Sequence, residues 1–83
     1  MRVPRYTPTA SKAIQKLDEK IRARVEEAIR ELLRNPLAGK KLKGELGEER
    51  LRSYRIWPYR IVYCFDSSHL DIVFVEHRKD VYR

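Results

Sequence analysis

The sequence predicts an α+β fold: an N-terminal strand, a helical hairpin and a three-stranded antiparallel meander, with the helices packed on one face of a small antiparallel sheet. Three observations support this prediction. Residues 8–34 repeat apolar side chains at three- and four-residue spacing, as amphipathic helices do. Residues 50–76 contain runs rich in Tyr, Ile, Val and Phe, which favour strands. The 83 residues are enough for a single domain, residues 1–83, with one small core.

The helical hairpin has recognisable start and end signals. The stretch before it predicts at most a short edge strand, because Pro4 removes a backbone donor. Thr7, with Thr9 as an alternative, and Asp18 stand where the two helices begin, and such side chains commonly cap free backbone N–H groups. Pro36 ends the second helix, because the residue before a proline avoids helical geometry. The apolar stripes consist of Ala10, Ala13, Ile14 and Leu17, then Ile21, Val25, Ala28, Ile29, Leu32 and Leu33.

The second half of the chain predicts three strands joined by tight turns, over residues 50–56, 59–65 and 70–76. Residues 37–50, which precede them, are rich in glycine and charge and predict a surface loop. Alternation along the middle strand divides its side chains between two faces. One face receives Tyr59, Ile61, Tyr63 and Phe65, and the other receives Arg60, Val62 and Cys64.

The same alternation in the last strand places apolar groups on both faces. One side receives Leu70, Ile72 and Phe74, and the other receives Asp71, Val73, Val75 and His77. The helices can cover only one face of the sheet. A second face that includes Val62, Val73 and Val75 would be more apolar than a free surface, which predicts a partner segment on it.

Charge and length limit the possible functions. The chain carries 19 Lys and Arg against 12 Asp and Glu, for a net charge of +7, which favours an acidic partner such as nucleic acid or an acidic protein segment. A chain of this length is too short for a Rossmann or barrel enzyme, and we expect no cofactor. No apolar run is long enough to span a membrane and no signal-peptide segment is present, so we expect a cytoplasmic protein without a membrane partner.

The cysteine and histidine content argues against a metal site. Cys64 is the single cysteine, which excludes an internal disulfide and a cysteine zinc site. We interpret Cys64 as a packing residue in a reducing compartment. His69 and His77 lack partners at ligand spacing, so no metal is predicted.

Arg60 is an unusual residue for the middle of an apolar strand. Because an isolated buried charge is too costly to keep, Arg60 must be paired or must face a ligand. Cations interleaved with aromatic residues are typical of RNA binding. The alternative is that Arg60 and Arg78 pair with an acid and hold the hairpin together. The cations and aromatics concerned are Lys40, Lys41, Lys43, Arg52, Arg55, Arg78, Tyr54, Trp57 and Tyr82, and the possible acids are Asp66, Asp71 and Glu76.

RNA can be cleaved without a metal, because the neighbouring 2′-OH attacks the phosphate once a base takes its proton and cations stabilise the developing charge. Two segments carry a resemblance that favours this chemistry: Arg-Ser-Tyr-Arg-Ile-x-x-Tyr-Arg-Ile-Val-Tyr at residues 52–63 and His-Arg-Lys-Asp-Val-Tyr at residues 77–82. With the order of elements, they resemble the RelE/ParE toxin superfamily of type II toxin–antitoxin systems, RelE-like branch. The resemblance spans almost the whole chain.

The resemblance implies a ribosome-dependent mRNA endonuclease that is inhibited by a cognate antitoxin. It implies that operator DNA is bound only through the antitoxin complex, and that mRNA and the ribosome are the targets. By similarity, Arg60 contacts the scissile phosphate, Arg78 clamps the phosphate or serves the leaving group, and Tyr82 orients the nucleotide. The loop lysines and the strand arginines would bind RNA: Lys40, Lys41, Lys43, Arg52 and Arg55.

The chain also departs from the family pattern. Two lysines that precede the sheet arginine in some RelE enzymes are replaced by Leu51 and Ser53. Arginine seldom loses a proton, so Arg52 and Arg55 are poor bases. Glu48, Glu49 and His77 are the alternatives for the base, and His77 has the most suitable ordinary pKa.

A second function class therefore stays open. It comprises a ParE-like inhibitor of DNA gyrase and a toxin-like fold that only forms a regulatory complex. Together Arg60, Arg78 and Tyr82 favour the endonuclease, whereas the replaced lysines keep the binding-only alternative.

Overall fold

A computed structural model describes residues 2–42 and 50–77 of the chain. Two helices pack against a five-stranded mixed sheet, which confirms the predicted α+β class. The elements in chain order are β1 (Val3–Tyr6), α1 (Pro8–Gln15), α2 (Glu19–Arg34), a 3₁₀ turn (Pro36–Ala38), β2 (Lys40–Lys41), β3 (Arg52–Ile56), β4 (Tyr59–Phe65) and β5 (His69–His77).

Both helices begin at the predicted caps. The Thr7 hydroxyl accepts a hydrogen bond of 3.0 Å from the backbone N–H of Ala10. The Asp18 carboxylate accepts one of 3.0 Å from the backbone N–H of Ile21. Each bond satisfies an N–H that the first turn of a helix leaves without an intrahelical partner. The second helix ends at Arg34, directly before the Asn-Pro pair, as predicted.

The strands lie in the order β1-β5-β4-β3-β2. The pairs β5–β4, β4–β3 and β3–β2 are antiparallel, as the predicted meander requires. The N-terminal strand instead pairs parallel to β5, so the sheet is mixed rather than antiparallel throughout. The two helices connect β1 to the rest of the chain, and such a crossover is what parallel pairing needs.

The position of Pro4 explains how β1 closes one edge of the sheet. The backbone N–H of Val3 donates to the carbonyl of Ser68 at 2.9 Å, and that of Thr7 donates to the carbonyl of Ile72 at 3.1 Å. Because alternate residues of a strand face the same neighbour, Pro4 lies between residues that bond to β5 and turns its nitrogen outward. A proline there lacks the donor that another strand would need for pairing.

The predicted loop at residues 37–50 is wrong for its first part. Residues 36–38 form the 3₁₀ turn, and β2 pairs with β3 through Lys40 opposite Ser53 and Lys41 opposite Arg52. The buried Tyr63 hydroxyl holds this segment against the sheet. It donates to the carbonyl of Pro36 at 2.6 Å and accepts from the N–H of Gly39 at 2.9 Å. Residues 43–49 lie outside the described part.

A β-bulge at Val73 changes the predicted faces of β5. Val62 pairs with Phe74, whereas Tyr63 pairs with Ile72, so Val73 is the extra residue on β5. Beyond the bulge, alternation reverses. Val75 therefore lies in the core, where it pairs with Ile61, and Phe74 lies on the opposite face. His77, opposite Tyr59, is on the same side as Val75. The predicted faces were wrong for Phe74, Val75 and His77.

The core lies between the helices and one face of the sheet. The stripes of α1 and α2 pack against residues of β4 and β5, as predicted. The central members are fully buried, including Val25, Leu32, Ile61, Tyr63 and Ile72. Within the described residues, neither helix is long and apolar enough to cross a membrane.

Candidate functional site

The sheet face opposite the helices, the second face, carries two rows of side chains that run across the strands. One row consists of Lys40, Ser53, Val62 and Phe74, and the other of Arg55, Arg60 and Glu76. Members of a row lie directly opposite one another in neighbouring strands and share a face. The strand pairing therefore places Arg55 directly opposite Arg60, with Lys40 on the same face in the neighbouring row.

Arg60 lies between Arg55 on β3 and Glu76 on β5. Its Nε donates a hydrogen bond of 2.8 Å to Oε1 of Glu76, and the two side chains are 29% and 24% exposed. Of the three acids that the sequence offered as partners, the structure selects Glu76. This contact explains how a guanidinium is kept in an apolar strand, since the pair shares the cost of partial burial.

Pairing with Glu76 does not neutralise the row. Arg55 and Arg60 are directly opposite each other, and like charges in that position destabilise a sheet. Two guanidinium groups next to a single carboxylate leave one positive charge in excess. A phosphate would complement this row, because planar guanidinium donors bind phosphate oxygens in pairs.

A shallow cavity of about 310 Å³ extends this charged surface toward the sheet edge. Lys40, Ser53 and Arg55 contribute to its lining. The position of Lys40 depends on Tyr63, whose hydroxyl bonds to the preceding residue, Gly39. A Cβ added to Gly39 would lie 2.5 Å from that hydroxyl, so the close contact requires glycine.

Lys41 and Arg52 do not join this surface. They lie opposite each other and in line with Tyr63, which places them on the face that the helices cover. Nε of Arg52 is buried, and within the described residues it has no hydrogen-bond partner. The structure therefore separates the five predicted RNA-binding residues: Lys40 and Arg55 accompany Arg60, Lys41 and Arg52 do not, and Lys43 lies outside the described part, as do Glu48, Glu49, Arg78 and Tyr82.

His77 lies on the wrong face to act beside Arg60. It is opposite Tyr59 in the strand register, and their rings meet edge to face at 4.9 Å and 85°. Tyr59 packs against the core, so this pair faces the helices. The structure gives no support to His77 as a base at the arginine row.

The apolar residues of the second face differ from those predicted, because Phe74 takes the place of Val75 beside Val62. Val62 is fully buried, Val75 belongs to the core, and Val73 is half-buried. Beyond the two rows, Arg5 and Asp71 form an ion pair of 2.7 Å that the sequence did not reveal. The hydrogen bond from Arg5 lowers the pKa of the Asp71 carboxyl below its ordinary value.

Cys64 lies beside this ion pair on the same face. Burial is the main cause that raises the pKa of its thiol, and the Asp71 carboxylate adds to the effect. A raised pKa disfavours the thiolate that a nucleophile requires. This environment agrees with the interpretation of Cys64 as a packing residue.

Comparison with known proteins identifies the family of this chain. Residues 5–82 match the family model described as the ParE toxin of the type II toxin–antitoxin system parDE. The chain belongs to this toxin family, within the RelE/ParE superfamily. Toxin RelE of Mycobacterium tuberculosis is 41% identical to this toxin over 81 residues, which cover 93% of this chain and 81% of that protein. The resemblance drawn from the sequence is confirmed.

Solved structures show the same fold. The RelBE2 toxin–antitoxin complex of M. tuberculosis contains a chain that is 36% identical to this toxin, with a TM-score of 0.80 and coverage of 93% of this chain and 98% of that one. YoeB from Staphylococcus aureus, solved as a dimer, is 25% identical to this toxin with a TM-score of 0.78. The match covers 92% of this chain and 95% of that one. A chain of the intact E. coli RelBE complex also shares the fold, with a TM-score of 0.78 at 21% identity. The match covers 93% of this chain and 96% of that one.

Proposed function

We propose that this type II toxin inhibits translation as an endoribonuclease that cleaves mRNA on the ribosome by 2′-OH attack, without a metal. The observation that carries the proposal is the arginine row. Arg55 and Arg60 are adjacent on the second face, and Lys40 lies in the neighbouring row. The similarity to Toxin RelE of Mycobacterium tuberculosis also supports the proposal.

The row suits phosphoryl chemistry at an RNA backbone. Attack by the 2′ oxygen places extra negative charge on the non-bridging phosphate oxygens, and fixed guanidinium groups stabilise that charge most when water is partly excluded. Arg60 meets this requirement, because it is half-buried and held by a hydrogen bond through Nε. A guanidinium has five N–H groups, so one such bond leaves capacity for a phosphate.

Each predicted residue has a proposed role. Arg60 stabilises the phosphate, Arg78 acts at the phosphate or leaving group, and Tyr82 orients the nucleotide. Lys40 and Arg55 hold the adjacent RNA backbone on the second face. Lys41, Arg52 and Lys43 belong to the proposed contacts with ribosomal RNA rather than to the cleavage site.

A cognate antitoxin is the proposed protein partner. RelBE2 of M. tuberculosis and RelB–RelE of Methanococcus jannaschii were solved as toxin–antitoxin complexes. The net charge of +7 on this chain favours an acidic binding segment. Operator DNA would be contacted only through the complex, and a cytoplasmic location follows from ribosomal targets.

The second candidate is a ParE-like inhibitor of DNA gyrase. The description of the matched family model as a ParE toxin favours it, whereas the similarity to Toxin RelE favours action on RNA. A purely regulatory binding protein is the other form of this alternative. These candidates differ in whether new mRNA ends are produced.

Cell-free translation with mapping of mRNA 5′ ends tests the proposal. We expect the wild-type toxin to generate new ends at ribosome-occupied codons, and Arg60→Ala and Arg78→Ala each to abolish them. Arg30→Ala is the matched control. It also removes one positive charge, but from an exposed residue of α2 that pairs with Glu27, so cleavage should persist.

Each outcome decides between the candidates. New ends that persist in Arg60→Ala would reject the role of the arginine row. Translation that proceeds without new ends, combined with loss of DNA supercoiling by gyrase, would favour the ParE-like function. Inhibition of translation without new ends would indicate that the toxin blocks the ribosome and does not cleave.

A further inference from the structure

The identity of the group that takes the 2′-OH proton is the main gap in the proposed mechanism. Glu48 and Glu49 lie outside the described residues, and His77 faces the helices beside Tyr59. A base must lie within hydrogen-bond reach of the reacting group. In the described part of the chain, the base should therefore be a proton acceptor on the second face near Arg60.

Glu76 is the carboxylate in the two rows of the second face. It lies directly opposite Arg60, and its Oε1 is 2.8 Å from Arg60 Nε. A phosphate bound by Arg60 would therefore be close to Glu76 as well. The hydrogen bond uses one carboxylate oxygen, and an ionised carboxylate has two, each able to accept. One bond to Arg60 leaves Glu76 able to accept a proton from substrate.

Partial burial suits Glu76 for this role. Its side chain is 24% exposed, which excludes much of the water that would otherwise compete for a substrate hydroxyl. Arg60 on β4 lies directly opposite Glu76, Arg55 lies beyond Arg60 on β3, and Lys40 is in the neighbouring row of the same face. These cations form the surroundings in which the Glu76 carboxylate would meet a substrate hydroxyl.

We propose that Glu76 is the general base of the RNA cleavage, an assignment that rests on the proposed endonuclease function. Its carboxylate takes the proton of the 2′-OH, and the 2′ oxygen forms a bond to phosphorus. The bond from phosphorus to the 5′ oxygen breaks, and that oxygen takes a proton from solvent. The products are a 2′,3′-cyclic phosphate and a 5′-OH, and Glu76 returns its proton to solvent. Arg60 thus stabilises the phosphate and orients the base at the same time.

The test is single-turnover cleavage of mRNA on programmed ribosomes, measured from acid to neutral pH for the wild type, Glu76→Gln and Glu76→Asp. Glutamine keeps the size and an acceptor for Arg60 but cannot take the proton. We expect Glu76→Gln to cleave about 10²- to 10⁴-fold more slowly at neutral pH, the range that general bases contribute. Its binding to the ribosome complex should be at least as tight, because a negative charge is removed beside RNA.

The shorter Glu76→Asp keeps the carboxylate and should retain more activity than Glu76→Gln. The wild type and Glu76→Asp should lose rate as the pH is lowered from neutral to acid, whereas the residual rate of Glu76→Gln should lack that loss. Asp71→Asn is the matched control. Asp71 lies on the same strand and face and also pairs with an arginine, Arg5, so its replacement should leave the cleavage rate unchanged.

The outcomes separate this proposal from the function on which it rests. A wild-type toxin that cleaves no mRNA overturns the endonuclease proposal and the base with it. Wild-type cleavage matched by Glu76→Gln overturns the base alone and leaves Glu76 as a partner that neutralises Arg60. A variant that loses binding in proportion to cleavage would show that Glu76 only positions Arg60, which also overturns the proposal.

Discussion

The two faces of the sheet differ in what their side chains do, although they alternate along the same strands. On the helix-covered face, Ile61 and Tyr63 of β4 are fully buried and pack with the helices. On the second face, Arg60 of the same strand is 29% exposed and bonded to Glu76. Neighbouring residues of one strand thus serve different purposes, stability on one face and proposed chemistry on the other.

The physical costs of the two faces differ accordingly. Burial of an Ile or Leu side chain stabilises a fold by about 1.5–3 kcal/mol. An arginine opposite another arginine contributes nothing of that kind and is mildly destabilising. We therefore infer that the arginine row binds a ligand. Substitutions on each face test this difference between the two faces.

The largest effect on stability is expected on the helix-covered face. Ile61→Ala removes a fully buried side chain, and such changes cost about 2–5 kcal/mol because a cavity remains. Its matched control is Arg55→Ala on the second face, which is exposed and should change the free energy of unfolding by about 0.5 kcal/mol or less. Urea denaturation measures both. Equal losses would show that the second face also carries the fold.

Tyr63→Phe tests the contact by which a core residue holds the segment that carries Lys40. It leaves the ring in the core but removes the hydroxyl that bonds to Pro36 and Gly39. Unsatisfied buried backbone groups cost about 1–3 kcal/mol. Because this bond positions Lys40, mRNA cleavage should weaken as well.

The control for Tyr63→Phe is Tyr54→Phe, since Tyr54 is only half-buried on the same face. Urea denaturation and cleavage of ribosome-bound mRNA give the two readouts. A Tyr63→Phe variant as stable as the wild type would show that the hydrogen bonds of the Tyr63 hydroxyl do not hold β2 in place.

Much of the fold was predictable because its signals are local. Thr7 and Asp18 cap their helices as predicted, and Pro36 follows the end of α2. Arg60 also stood out from the sequence, because a charge in an apolar strand is costly wherever the strand lies.

What the sequence did not reveal depends on distant contacts. Val73 lies in a run of apolar residues with no glycine or proline to mark a bulge, so Phe74 and Val75 were assigned to the wrong faces. Lys40 and Lys41 form a strand because Tyr63 holds the preceding turn. The choice of Glu76 among three acids required the register of β4 against β5.

A smaller effect is expected at the first helix cap. Thr7 accepts from Ala10 and donates to the carbonyl of Val73, the bulge residue. Thr7→Ala should lower the free energy of unfolding by about 0.5–2 kcal/mol, as the loss of a cap does. Asp18→Ala is the comparison, because it removes the same kind of cap bond at an exposed site. A Thr7→Ala loss no larger than that of Asp18→Ala would argue against a role for the bulge contact.

The smallest effect is a pH dependence at the β4–β5 turn. The backbone N–H groups of Ser68 and His69 donate to Asp66 and lower the pKa of its carboxyl. A carboxyl with a lowered pKa in the folded state adds stability above its unfolded pKa, about 3.9. That stability is lost as the pH falls through the folded pKa.

Asp66→Asn should therefore flatten the acid side of the stability profile, because it removes the stability that the ionised carboxylate adds at neutral pH and changes little at the acid end. Urea midpoints measured from pH 6 down to about pH 2 check this expectation. Asp71→Asn should flatten the same region, because the hydrogen bond from Arg5 lowers the pKa of Asp71. An unchanged acid slope in both variants would contradict these shifts.

The role of Arg60 is tested most directly when cleavage activity and stability are measured on the same preparation of Arg60→Ala. We would measure the rate of mRNA cleavage on programmed ribosomes together with the free energy of unfolding. We expect a loss of cleavage of about 10²-fold or more, as for other groups that stabilise transition-state charge, with the folded state retained. Cleavage at the wild-type rate, or a loss explained by unfolding, would contradict the claim that the helix-covered face stabilises the fold while the second face serves cleavage.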